Sequence, residues 1–238
     1  MQEIKLLGKF REHITIKYAM TCLIIFIAVF GMWHALRFGG ASLDYYYVQN
    51  IIEKWQVGGE QQQKSNYIIA KDSIYKAEAS HFSHPLYADL SGQIVEWGVV
   101  AGYEELDYLS QAKAHYLRAA SMRPAWPVTW ASLAMIKWRL NEFDEEMLSY
   151  ITKADVLGSQ KPEVHAFFAE IGLALYQVNH PFYRNIREQT QARVVLGLRN
   201  PESREPIEAA IERYQAARAV CIWAKQRDPH VASNILKC

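Results

Sequence analysis

Three small constellations in this chain have residue types that could carry chemistry. His81 and His84, in the run His-Phe-Ser-His, stand three apart and would share one face of a helix, as metal ligands do. Glu104, Glu105 and Asp107 form one acidic cluster and Glu145 with Glu146 another, and paired carboxylates are what glycoside hydrolysis needs. Cys221 and Cys238 are close enough in sequence for a disulfide to pin the C-terminal segment back on the last long helix. Each has a plainer reading. The two histidines come just before Pro85, where a loop is expected, and two ligands do not make a metal site. Both acidic groups fall where helices should begin, and there carboxylates complement the helix dipole. Glycine-rich phosphate loops, His-Glu-x-x-His, Gly-x-Ser-x-Gly and cysteine pairs at metal spacing are all missing from the sequence. The expectation is a protein that is not an enzyme and takes no metal and no cofactor.

The elements that would position these residues are legible from composition and spacing. The chain has 238 residues, with 26 basic side chains nearly balanced by 25 acidic ones, which argues against nucleic acid as a partner. Seven tryptophans and fourteen tyrosines give enough bulk to fill a helical core. No segment alternates as a strand would, so the class is all-α. Helices are expected at about 67–79, 85–101, 106–122, 127–140, 142–154, 162–177, 182–198 and 206–226, with a short one from Pro229. Prolines mark most of the breaks between them.

The strongest physical signal is near the N-terminus. From Tyr18 to Leu36 the only ionisable side chains are Tyr18, Cys22 and His34, and nineteen or so residues at the helical rise cover about 28 Å, close to the bilayer core. Tyr18 and Trp33 bracket the run as interfacial aromatics do. Lys5, Lys9, Arg11 and Lys17 precede it and only Arg37 follows closely, so the N-terminus is expected in the cytoplasm and the rest across the membrane. An uncleaved anchor is preferred to a cleaved signal peptide. The expected organisation is a basic segment over 1–17, a transmembrane helix over 18–36, a juxtamembrane helix and loop over 37–64, and a helical domain over 65–238. In the juxtamembrane helix Ser42 or Asp44 would stand near the start, and Tyr45, Tyr46 and Tyr47 suit an interface belt or packing better than sugar stacking. Cys221 and Cys238 lie beyond the span, where a disulfide and two unpaired thiols are both open.

Ala112, Tyr116, Ala119 and Pro124 stand in the pattern Ala-x3-Tyr-x2-Ala-x4-Pro, and Trp130, Leu133 and Ala134 follow it. All fit one period of about 34 residues, and the set resembles the second helix of a tetratricopeptide (TPR) repeat and the start of the next. Small residues allow close helix approach, Tyr116 fills the gap between, and Pro124 turns the chain. The next repeat departs, with Glu146 and Lys153 where small residues belong. A TPR-like α-solenoid of helical hairpins is therefore expected behind the transmembrane helix. In such arrays the first helix of each pair lines a groove. Projecting the frame places Met135, Trp138 and Arg139 on it, near Trp97 and His165, as candidate partner-binding residues. Core burial is the competing place for Trp97 and Trp138.

The basic head, the single span, and the runs DYYYVQNIIEKW, HPLYADLSGQIVEWG and AKAHYLRAASMRPAWPVTWASLAMIKW together resemble the VpsP-type polysaccharide biosynthesis proteins. These are accessory proteins encoded with exopolysaccharide machinery in Gram-negative bacteria. The resemblance implies a single-pass inner-membrane protein facing the periplasm, with polysaccharide synthesis or export proteins as partners and glycan contact as a further option. A general envelope assembly factor or chaperone is the alternative. No catalytic residues belong to that family pattern.

Overall fold

The computed structural model describes residues 2–56 and 63–238, with side chains from residue 17 onward. Among the described residues the chain is helical without strands: α1 (Gln2–Gln56), α2 (Lys64–Ser80), α3 (Pro85–Val100), α4 (Tyr108–Met122), α5 (Pro127–Arg139), α6 (Glu145–Leu157), α7 (Pro162–Gln177), α8 (Tyr183–Arg199), α9 (Pro201–Arg213) and α10 (Ala217–Arg227), closed by a π-helical turn at Val231–Ile235. The polar loop expected after residue 56 falls largely on residues 57–62, outside the described residues.

One helix replaces the expected span and separate juxtamembrane helix. α1 runs unbroken from Gln2 to Gln56. Within it, residues 17–55 contain a stretch long and apolar enough to cross a membrane, none of it buried in the protein. Gly39 and Gly40 do not break it, because no proline removes a backbone donor there. Past the exposed stretch the same helix becomes part of the folded body. Ala41, Val48, Ile52 and Trp55 are buried, and Ser42 Oγ lies 3.2 Å from Tyr87 Oη. The helical domain therefore starts near Ala41, not residue 65. Tyr45 packs on Tyr87, while Tyr46 and Tyr47 stay exposed.

The helices pair in order as hairpins: α1 with α2, α3 with α4, α5 with α6 and α7 with α8. α9 packs on both α7 and α8, and α10 on α8. The same local chemistry recurs along the series. α3, α5, α7 and α9 each take a proline in the first turn (Pro85, Pro127, Pro162 and Pro201), where its missing N–H costs nothing. Each of these helices is followed by a left-handed residue: Gly102, Asn141, Asn179 and Gln215. The next amide then turns back to a carbonyl of the last helical turn, as Tyr103 N does to Gly98 O and Glu142 N to Lys137 O. Asp144 caps α6, its carboxylate accepting from Met147 N at 2.9 Å.

Pro206 lies inside α9, not at a helix start. Pro201 occupies the first turn and Asn200 caps it, accepting from Glu202 N at 3.0 Å, so the helix is already under way. Gln215, in the left-handed region, then separates α9 from α10 where one long helix was expected.

Two apolar cores share the α7–α8 hairpin as a wall. The first extends from Ala41 to Ile186, the second from Ala169 to Ala232. Tyr116, Ala112 and Ala119 are buried, and the Tyr116 ring would sit 2.9 Å from a Cβ placed on Gly92. Trp130 donates from Nε1 to the Pro124 carbonyl at 2.8 Å, holding α5 to the loop before it, and stacks on Tyr150 of α6.

Candidate functional site

Two adjoining hollows run across α3, α5 and α7. One, of about 210 Å3, is lined by Gln93, Glu96, Trp97, Val100, Tyr116, Ser132 and Arg139. The other, of about 290 Å3, shares Glu96 and Ser132 and continues over Met135, Glu163, Phe167 and Glu170 to Pro206. Helical spacing explains the lining. Gln93, Glu96, Trp97 and Val100 stand at i, i+3, i+4 and i+7 on α3. Val128, Ala131, Ser132 and Met135 do so on α5, and Glu163, Ala166, Phe167 and Glu170 on α7.

The groove carboxylates are held by their neighbours. Glu96 accepts from Arg139 Nε at 3.0 Å and from the Tyr116 hydroxyl at 2.9 Å. Burial, with Glu96 next to it, pushes the Tyr116 phenol far up, so it stays a donor. Glu170 accepts from Arg213 Nη1 at 2.8 Å and from Tyr214 Oη at 2.6 Å. Burial and that carboxylate push Tyr214 up to about 12. Glu163, exposed at the start of α7, makes no ion pair among the described residues. The result is a partly aromatic trough in which Arg139 and Arg213 pair with Glu96 and Glu170, and Glu163 is the acid without an ion pair among the described residues.

The sequence-derived candidates divide. Trp97, Met135 and Arg139 line the hollows. Trp138 does not; it is partly buried against the first core. His165 is a correction: at 1% exposure it is inside the protein, with Nε2 3.0 Å from the Ser159 carbonyl. Gly197 of α8 lies against it: a Cβ there would fall 2.6 Å from the His165 Cβ. Burial lowers the His165 pKa, so it is neutral and structural. Glu96, Ser132, Glu163 and Glu170 were missed, although the i, i+3, i+4, i+7 stripe through Phe167 was there to be read.

The other constellations resolve into structure. Cys221 and Cys238 are joined by a disulfide that ties the terminal segment to α10. His81 and His84 lie in the α2–α3 loop, and His84 stacks on Tyr87. Glu104 takes Lys71 at 2.6 Å and Tyr67 at 2.8 Å, across to α2 instead of serving the α4 dipole. Glu142, Asp144 and Glu146 come within 4.8 Å of one another as three exposed carboxylates. Lys137 Nζ already sits among them, at 2.5, 2.6 and 3.0 Å, with the residue only 2% exposed. Burial opposes its charge, but the three carboxylates win and raise its pKa. An ammonium therefore holds the place a metal ion would need.

No protein-family model matches the chain, and no curated protein matches it at significant similarity.

Proposed function

We propose that the chain is a membrane-tethered TPR-like scaffold whose α3–α5–α7 groove receives a segment of a partner protein. One observation carries this reading: three helices from successive hairpins align their stripes into one trough, with partly exposed Trp97 as an apolar anchor, buried Phe167 at the floor, and Glu96, Glu163 and Glu170 along it. An aromatic anchor in a concave, partly desolvated setting is where binding energy concentrates. Glu163, exposed and without an ion pair among the described residues, suits a segment with apolar side chains and one cation.

The partner class proposed is the polysaccharide synthesis or export machinery of a bacterial envelope. It is supported by the resemblance of DYYYVQNIIEKW, HPLYADLSGQIVEWG and the α4–α5 run to VpsP-type proteins. The proposed placement is the inner membrane, single-pass, with the N-terminus cytoplasmic and the helical domain periplasmic. The lysines and arginine before the span support that orientation, and a disulfide suits an oxidising compartment.

A photo-crosslinking residue at Ser132 in the full chain, expressed in its own cells, tests this. The expected result is one dominant adduct with a glycan synthesis or export protein, lost when Trp97 and Met135 are both changed to Ala. An adduct with a cytochrome-maturation or outer-membrane assembly component would move the scaffold to that machinery. No protein adduct at all would remove the groove from consideration.

A further inference from the structure

We infer that the loops between α2 and α3, α4 and α5, and α6 and α7 form one basic, aromatic face that rests on the anionic headgroups of the bilayer entered by α1. This goes beyond groove binding, and rests on α1 crossing the membrane.

Height is fixed by α1 itself. Because that helix is continuous, residues just past the apolar stretch have a set distance from the membrane. Phe38 lies two residues beyond Leu36, about 3 Å along the axis. The headgroup layer is roughly 5–7 Å deep on each side. At that level the α2–α3 loop packs on α1: the Phe38 and His81 rings are 4.6 Å apart, and Arg37 donates to the Ala79 carbonyl at 3.5 Å. The loop therefore lies within the headgroup layer, with Phe82 64% exposed.

Side-chain contacts extend this face across the hairpins. The Arg118 guanidinium lies 4.2 Å over the Phe82 ring. Arg123 and Lys161 cover the Trp126 ring at 4.0 and 4.6 Å, joining the α4–α5 and α6–α7 loops. Val156 and Leu157, at the end of α6, are exposed.

Charge separates the two ends of the hairpins. Loops 81–84, 123–126 and 158–161 contain no acidic residue. The cations Arg37, Arg123, Lys153 and Lys161 form no ion pair among the described residues and are covered instead by aromatic rings. Arg118 is neutralised by Glu78, and Arg193, which donates to the Ser159 carbonyl, by Asp155. Glu78, Asp155 and Glu163 are the acids beside these loops, the first two taken up by Arg118 and Arg193. At the other end, loop 101–107 carries Glu104, Glu105 and Asp107, and the α5–α6 turn carries Glu142 and Asp144. Near that end Lys71, Lys113 and Lys137 are paired with carboxylates, while Lys64 at the start of α2 forms no ion pair among the described residues. The four cations without carboxylates, on a face that also exposes Phe82, Val156 and Leu157, match a surface that offers phosphate above and acyl chain below.

Three singly spin-labelled full-length chains test this in vesicles of phosphatidylcholine, with or without phosphatidylglycerol. One is labelled at native Cys22, and the others at Ala125→Cys or Glu105→Cys in a Cys22→Ser background. Collision with oxygen against a water-soluble nickel chelate reports depth. Position 125 should be sheltered from the chelate in anionic vesicles and open in neutral ones, while 105 stays open in both. Arg123→Gln with Lys161→Gln should shift the docked population down roughly fivefold per charge removed. A label at 125 matching 105 in anionic vesicles, or equally sheltered in both lipids, overturns the inference. So does shelter that appears only when a soluble polyanion such as heparin is added. A Cys22 label open to the chelate would sink the membrane crossing itself, a failure separable from that of the docked face.

Discussion

Arg139 on α5 donates to Glu96 on α3 at 3.0 Å, and Tyr116 on α4 holds the other oxygen of the same carboxylate. One groove-lining acid thus joins three helices from two hairpins, and its cation stands at the rim. Arg139 keeps about a third of its side chain in solvent, so the pair contributes little to folding.

Arg139→Ala should therefore cost no more than about 1 kcal/mol of stability, measured by thermal melts. Crosslinking from Ser132 should nevertheless fall about tenfold if the rim cation contacts the partner. A large drop in the melting midpoint with unchanged crosslinking would make the pair structural only.

Lys137 is buried among Glu142, Asp144 and Glu146, and Lys137→Met leaves three carboxylates facing one another. The loss should be roughly 2 kcal/mol, less than for a fully buried pair because the carboxylates are about half exposed. Lys113 and then Tyr150 hold the Glu146 carboxyl down to about 2. A group with a depressed folded pKa takes up its proton more readily when unfolded. Its stabilisation is complete above roughly pH 5, where the unfolded carboxyl is ionised. It is lost as pH falls through about 2. Lys113→Met, which removes the largest cause, should flatten the acid limb of a stability–pH curve from chemical denaturation; an unchanged limb would contradict this.

Gly172 on α7 meets α8 so closely that a Cβ would enter the Thr190 side chain. Gly172→Ala should destabilise by about 1–3 kcal/mol through overpacking. Adding Thr190→Ala should recover part of that loss, because the two sites share one contact. Additive losses in a double-mutant cycle would show that the contact is not the cause.

The Cys221–Cys238 bridge closes a loop with a sequence separation of 17 and holds the turn that buries Val231 and Ala232. Cys238→Ser should cost about 3 kcal/mol on the chain-entropy account. Reductant should lower the melting midpoint of the native chain and leave the variant unmoved.

Much of the architecture was legible because its causes are local. The absence of alternation gave the helical class, and Pro85, Pro127 and Pro162 marked helix starts as they stand in the structure. Pro206 misled because a proline at a helix start and one early inside a helix look alike until Asn200 and Pro201 are seen to have begun the turn. Tyr116 was read as a gap filler from its spacing between alanines, and that is where its ring lies.

Side-chain destinations were harder. Met135 and Arg139 reached the groove, Trp138 stayed against the core, and His165 went inside, though all were projected from one frame. Neighbouring positions on a helix differ by about 100° in direction, so a one-residue phase error moves a side chain from trough to core. Lys153 and Glu146, odd against the repeat pattern, found partners that spacing could not supply: the Trp130 ring for one, Lys113 and Lys137 for the other.

The sequence by itself determined the helices, their punctuation and an N-terminal stretch apolar enough for a bilayer, because periodicity, proline chemistry and the cost of burying charge act within a few turns. Only the tertiary structure decided that α1 continues into the body, which faces form the trough, and that Arg37, Arg123, Lys153 and Lys161 stand without carboxylate partners at the hairpin end beside the apolar stretch. Those outcomes depend on the phase and height at which separate helices meet, and no local run of residues encodes either.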